Sequence, residues 1–562
     1  MKKIIYYIFA LSTIASSFSS CSLDEEAYSE VNKSKFMNNA AEAEVVLGGV
    51  YRNMVEDGMY GYHLSLLFTL STDIAQCEGN NNTSFREIPT NSFTPSNASV
   101  QSTWRTLYNG IYNANDFIET LTAKAQNFSY QDKILANMYI AEARALRGLY
   151  YFELVRWFGN IVLMTNTEQS KQHPSTFVQS NPKDVYEFIE KDLIFAAENL
   201  PYAIDDTNRK NNSFRISRGA ALGLLTKVYA TWAAKDESKW EKAATTAKTL
   251  IESGKHGLLN DYEQLWKNTC NGIWDPKESL IEVSFYAPTV TGTASEDPCG
   301  RIGKWNGVQT TEIAGSRGRN AGNVKVVHTF VRDWREKTGD LRCELSVANY
   351  KYNHNIAPGK VLWTIDDKNP DFEKAEEDEA DPEKGQGKKQ NYTPAKWDIV
   401  KYVDSSNALL NNDKSNVNWY ILRYADVLLL YAEALNEWKK NPTQDAYEAI
   451  NMVRRRGYGL PINTANKIAD LPAMSYTEFR QAVRDERAYE LAFEGHRRQD
   501  LVRWGVYYET IVQTAQNLVN WYSNANYPAR QYTKKGKHEL FPIPLRDYDL
   551  MKPNCKQNPG WD

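Results

Sequence analysis

Apolar residues recur at helical spacing through most of this chain, and the pattern divides it into pairs of helices. Ala40 to Val55 predicts a helix with Val45, Val46, Leu47 and Tyr51 on its apolar side, and Tyr60 to Asp73 continues apolar. Gln76 to Val100 predicts a polar loop, rich in Asn, Ser and Thr and broken by Pro89 and Pro95. A loop of that length in a compact protein is often functional. Helical spacing returns in Val100 to Leu121, Gln131 to Phe158 and Asp184 to Leu200. Arg218 to Ala234 and Trp240 to Ser253 predict an antiparallel pair, with Gly254 as a C-cap. A later pair is Trp419 to Trp438 and Gln444 to Arg456, ended by Gly457. Its first member is apolar on nearly every side, with Arg423 and Asp426 three apart and able to pair with each other.

Small residues mark close helix contacts: Ala141, Ala143 and Ala145, then Gly219 to Ala221, then Ala432 and Ala434. Such pairs fit a mainly α, tetratricopeptide-like helical repeat superhelix. The strict consensus is missing, and an irregular helical bundle is the alternative. Between Ala287 and Lys401 the helical pattern fails, Gly, Pro, Thr and Asn rise, and Val324 to Phe330 is strand-like. This predicts an irregular, partly β subdomain inserted into the repeat. Within it Asp366 to Gln390 is charged and of low complexity, acidic from Glu376 to Asp381. Without EF-hand spacing and its central Gly, a solvated excursion is favoured over a calcium loop.

Phe479 to Gly505 mixes dense charge with Phe479, Val483, Leu491, Phe493 and Trp504. Glu486, Glu490 and Glu494 are four apart and stack on one face if the helix runs through them. Something must neutralise them. Arg487, Arg497, Arg498 and Arg503 are the near candidates and Arg423 the distant one. A catalytic carboxylate pair is one reading. A structural Arg–Glu network is the better one, because guanidinium forks outnumber the carboxylates. A metal site is weaker still, since Glu494 and His496 point to different sides of a helix.

The chain has 562 residues, a formal net charge of -4 and 12% aromatic residues, including 34 Tyr and 15 Trp. The charge argues against a nucleic-acid partner. Residues 1–20 form a leader, with Lys2 and Lys3 ahead of an apolar Ile4 to Ala15. Ser20 precedes Cys21, as in a lipoprotein cleavage site, and Phe18 stands where Leu is usual. A plain secretory signal is the alternative. Cys77, Cys270, Cys299, Cys343 and Cys555 follow at scattered spacings and predict free thiols, or at most one or two disulfides. No GxSxG, HExxH, P-loop or GxGxxG occurs, so no catalytic residue, metal site or cofactor is expected. Trp274, Trp305, Trp334, Trp363 and Trp397 lie in the irregular region, where helical packing does not call for them. Rigid aromatics on loops suit stacking on sugar rings, and they equally suit plugging an irregular core. Trp305 and Trp334 are the first choices for a platform, flanked by Gly303 and Gly307 and by Arg332 and Arg335.

Glu486 to Gly505 closely resembles the signature of the SusD/RagB family of Bacteroidota surface lipoproteins. Ala141 to Phe152, Ile421 to Ala434, Phe541 to Pro544 and Gln557 to Trp561 resemble its other marks, in the family's order. Gly159-Asn160-Ile161-Val162 departs from the family's Gly-Asp-Val-Pro. The acidic run after Cys21 resembles that family's surface-export signal. The resemblance implies a signal peptide (1–20), an N-terminal helical region (21–284), an irregular ligand-binding subdomain (285–418) and a C-terminal helical region (419–562). It implies a non-catalytic protein, lipid-anchored at Cys21 on the outer membrane and facing outward. Such a protein captures oligosaccharide for a SusC-like TonB-dependent transporter. Peptide binding of the RagB type is an alternative, and a surface glycoside hydrolase a lesser one. In the family, ligands meet loops after the early helices and the irregular subdomain. The expected contacts are therefore Asp73, Arg86, Trp274, Tyr286, Trp305, Trp334 and Trp363, with Asn80 to Asn82 in the early loop.

Overall fold

The computed structural model describes residues 36–77, 84–211, 214–285, 300–310, 320–352, 361–363, 392–404, 416–521 and 525–562. The leader with Cys21, Asn80 to Asn82, Tyr286, Cys299 and the acidic stretch from Glu376 to Asp381 lie outside them. Among the described residues no helix is long and apolar enough to cross a membrane. Cys77, Cys270, Cys343 and Cys555 are buried free thiols.

The helices form where periodicity predicts them, and caps set their ends. Tyr130–Phe158 starts on Ser129, whose hydroxyl accepts from the Asp132 N–H, and stops at Gly159 with φ 68°. Nearly every residue from Ala141 to Phe158 is buried, because neighbours pack on all its sides. Ala40–Arg52, Ala98–Lys124, Tyr130–Phe158, Pro182–Asn199, Arg218–Trp232 and Lys239–Glu252 pack in succession. Lys239–Glu252 then packs on Tyr424–Lys439, which is followed by Gln444–Gly457 and Tyr476–Glu490. The helical superhelix is therefore continuous in space although nearly two hundred residues of chain leave and return. One hydrophobic core runs through it.

The returning chain is tied in by short antiparallel strand pairs. Ala75–Cys77 pairs with Val324–Val326, and Ser279–Val283 pairs with Trp419–Arg423. The second pair corrects the sequence reading, which ran a helix from Trp419. Trp419–Arg423 is a fully buried strand of aromatic and apolar residues, and the helix is Tyr424–Lys439. The strand's four aromatic and apolar residues ahead of Arg423 fit a strand buried on both faces as well as a helix. Gln76 to Val100 is likewise not one loop, for Ser84–Thr90 is helical with Pro89 inside. Phe330 belongs to the helix His328–Arg335 that follows the strand.

Tyr476–Glu490 opens with a capping box between Ser475 and Glu478. It ends at Glu490, so Glu494 comes from the following turn and not from the same helical face. The neutralising partners are also not the near arginines. Arg423, itself 0% exposed, reaches Glu494 at 2.7 and 2.8 Å, Glu490 at 2.5 Å and Glu278 at 3.1 Å. Arg456 bridges Glu278 and Glu490 at 3.0 and 2.6 Å. Arg342 joins Glu486, Glu490 and Asp340, Arg454 meets Glu486, and Lys396 meets Glu494. The five carboxylates face five cations, so the buried cluster is balanced.

The near arginines serve other groups. Arg487 holds Asp426 and Asp500, Arg503 holds Glu433 and Asp500, and Arg497 holds Asp73. Arg498 bonds Asn91 and the Leu70 and His538 carbonyls. Asp426 thus pairs with Arg487 and Lys227 rather than with Arg423.

Burial alone would raise the Glu490 carboxyl, but Arg456, Arg423 and Arg342 outweigh it and hold it down to about 2. A carboxyl held below its ordinary 4.5 stabilises the fold above that pH, and the contribution fades as pH falls towards 2. Glu490→Gln removes both the charge and that dependence. Breaking a buried ion pair by removing one partner should cost roughly 3–5 kcal/mol near neutral pH. The gap from wild type should narrow below about pH 4.5, as read by urea unfolding across the acid range. A gap that does not change with pH would place Glu490 outside the network's energetics.

Candidate functional site

Tyr62 belongs to a group of half-buried rings that meet at Trp305. Tyr62 stands between two short π-helical turns, Asp57–Gly61 and His63–Leu67, with φ -155° and ψ -51° that break the helix, and it keeps part of its surface exposed. Gly61 makes the turn possible, since a Cβ there would lie 2.5 Å from the Val55 carbonyl oxygen. Trp305, at the end of the short helix Ile302–Trp305, lies 5.6 Å from Tyr62 between ring centroids, tilted by 41°. Phe85 also lies 5.6 Å from Trp305, tilted by 53°. Each of the three keeps part of its surface open to solvent.

Charged groups border the rings. Arg301 donates to both carboxylate oxygens of Asp57 at 3.0 and 2.7 Å, and its guanidinium lies 5.5 Å from the Tyr62 centroid. The Arg301 N–H donates to the Gly61 carbonyl at 3.2 Å, locking the two segments together. Arg86 places its guanidinium 5.0 Å from the Phe85 centroid. Beneath, His63 meets Thr103 at 3.0 Å, and burial lowers its pKa to about 4, so it is neutral at physiological pH. Flat apolar faces beside a fixed carboxylate–guanidinium pair can stack on a ring-shaped polyol and hydrogen-bond its hydroxyls. Among the described residues no group of three or more His, Cys, Asp or Glu is placed to hold a metal ion.

Of the residues predicted from sequence, Trp305 and Arg86 meet here. Asp73 is committed elsewhere, chelated by Arg497 at 2.8 and 2.5 Å. Trp274 meets Phe214, with ring centroids 6.0 Å apart. Trp363 ends the strand Val361–Trp363 opposite Tyr350, and its side chain lies outside the description, as does Tyr286. Trp334 is a correction. It is 0% exposed, stacked on Tyr489 and donating its N–H to Asp340, so no face is left for a ligand. Trp397 is equally buried, stacked on Trp419. Both plug the irregular subdomain against the repeat, the packing role left open for every one of these tryptophans. Tyr62, Phe85, Arg301 and Asp57 were missed. The signal for Tyr62 was Gly58 and Gly61, which interrupt an otherwise apolar run.

A family model described as "SusD family" matches residues 329–561, and one described as "Starch-binding associating with outer membrane" matches residues 23–230. The solved structure of a SusD homolog from Bacteroides thetaiotaomicron is 61% identical, covering 96% of this chain and 100% of that one, with a TM-score of 0.88. A SusD-like protein of Formosa agariphila is 25% identical across 98% of this chain and 97% of its own. The structure of a laminarin-binding SusD-like protein, 24% identical with 93% and 99% covered, shares the fold at a TM-score of 0.68. With near-complete coverage of a relative this similar, the chain belongs to the SusD/RagB family.

Proposed function

We propose that this protein is a cell-surface glycan-binding lipoprotein that captures oligosaccharide on the Tyr62–Phe85–Trp305 platform and delivers it to a SusC-like TonB-dependent transporter. The observation that carries the reading is the platform itself: three rings on three separate segments, converging beside the Arg301–Asp57 pair. Arrays of this kind recognise sugars because each stacked ring removes water from an apolar sugar face, while fixed polar groups read the hydroxyls. The relatives support it by their descriptions, one as laminarin-binding and one, from Bacteroides fluxus, as a surface glycan-binding protein. The mechanism is binding without chemistry, followed by closure of the protein over the transporter barrel. The carboxylates that a hydrolase would need in an open cleft are here Glu486, Glu490 and Glu494, all buried and saturated by cations. Anchoring is assigned to Cys21, with the protein on the outer leaflet facing outward. In the same reading the irregular region 285–418 carries part of the ligand surface and the flanking helical regions carry the frame.

Trp305→Ala or Tyr62→Ala should weaken binding of an oligosaccharide found by glycan array by roughly 1–3 kcal/mol in calorimetric titration. Unchanged affinity in both would remove the platform from the account. Trp334→Ala should behave oppositely. It should cost about 3–5 kcal/mol of stability in chemical unfolding, as for a buried aromatic, and spare the affinity of protein that stays folded. Cys21→Ala should abolish acylation and move the protein out of the membrane fraction. A variant that still carries acyl label would show that the anchor lies elsewhere.

A further inference from the structure

A cleft among the described residues shares no residue with the aromatic platform. It has a volume of about 740 Å³, within the range of small-molecule sites, and opens where helix ends of the N-terminal repeats meet the C-terminal tail. The C-terminal ends of Tyr130–Phe158 and Arg218–Trp232, the start of Pro182–Asn199 and the helix Arg497–Arg503 form its walls. Val155, Val502 and Leu540 supply apolar surface, and Trp504 is half-buried at one side.

The cationic walls are largely matched already. Arg156 is held by Glu153 at 2.8 and 2.6 Å, and Arg503 by Glu433 at 2.7 Å through both terminal nitrogens. Lys535 pairs with Glu509 at the rim. Two polar groups are not matched. Gln499 is 7% exposed, and among the described residues nothing accepts from its buried Nε2. Likewise, nothing among them donates to the buried Oε2 of Glu539. A buried polar group without a partner forfeits its hydration, so a cleft that keeps one such donor and one such acceptor is suited to a ligand that offers both.

We propose that this cleft is a second saccharide-binding site. The chemistry that fits is a neutral mono- or oligosaccharide, because each hydroxyl both donates and accepts and so can serve Gln499 and Glu539 together. An anionic ligand would instead meet the Glu539 carboxyl oxygen, and the arginines it would need are already closed on Glu153 and Glu433. The proposal rests on the reading that the protein binds glycans, but its residues are independent of the platform.

The test is calorimetric titration of the mature protein with neutral malto-, cello- and laminari-oligosaccharides. The background is Tyr62→Ala/Trp305→Ala, which removes the platform. That protein should retain binding to one of these sugars. Ala234→Trp, which places an indole in the cleft from an exposed position, should weaken the residual binding at least tenfold. Gln499→Leu should weaken it in the same direction. If the platform variant binds none of the sugars that wild type binds, the cleft proposal is overturned and the platform reading stands. Residual binding that ignores both cleft substitutions overturns it as well. If Ala234→Trp alone abolishes all binding, the cleft stands and the platform falls. A wild-type protein that binds none of the panel overturns the cleft proposal, while the platform reading is judged on the sugar that the glycan array selects.

Discussion

The structure depends on a buried exchange of charge between chain segments that are far apart in sequence. Arg423 ends a strand, Glu278 precedes its partner strand, Glu490 ends a helix and Glu494 sits in the next turn. Arg456 and Arg342 arrive from two further segments. Each ion loses several kcal/mol of hydration on burial, and only near-ideal geometry with every charge matched offsets that loss. The bidentate and bridging distances of 2.5 to 3.1 Å around Arg423 supply that geometry. Such a cluster adds little net stability compared with a hydrophobic core, but a wrong register would leave a charge unpaired. It therefore fixes where the inserted region rejoins the helical frame.

A second balanced cluster does the same for the repeat. Lys227 comes from Arg218–Trp232, Asp426 and Glu433 from Tyr424–Lys439, Arg487 from Tyr476–Glu490, and Asp500 and Arg503 from the helix after the turn. His496 contacts Lys227 at 2.8 Å, and burial followed by the neighbouring Lys227 charge lowers its pKa to about 3, so it stays neutral. Helices separated by two hundred residues are thereby held in one register. With the frame fixed, the turns around Gly61 and the helix Ile302–Trp305 can present rings at its surface. Arg301 and Gly61 link those two segments directly.

Much of the frame was legible because long amphipathic periods and caps are local signals. Gly254, with φ 64°, stands just past Lys239–Glu252, where its C-cap chemistry places it. What failed was non-local. Trp419 to Arg423 becomes a strand only because Ser279–Val283 lies beside it, and nothing in the run Trp419 to Leu422 announces that. Arg423 was a recognisable partner for the carboxylates, whereas Arg342 and Lys396 came from segments with no periodicity to place them, and Arg456 ends a predicted helix whose approach to Glu278 is non-local. The candidate ligand surface was half legible. Trp305 and Trp334 look alike in sequence, each flanked by glycine or arginine, yet one lies on the surface cluster and the other under Tyr489. Tyr62 and Phe85 are single aromatics whose role arises only when three distant segments converge.

The central claim is a division of labour: the carboxylate cluster builds the frame, and the aromatic cluster meets the ligand. The most direct measurement is a crystal structure of the mature protein with a bound oligosaccharide selected by glycan array. The account predicts sugar rings against Tyr62, Phe85 and Trp305, hydroxyls within hydrogen-bonding distance of Asp57 or Arg301, and Glu490 and Glu494 still closed on Arg423. A sugar lodged against Glu490 or Glu494, with those ion pairs opened, would contradict it.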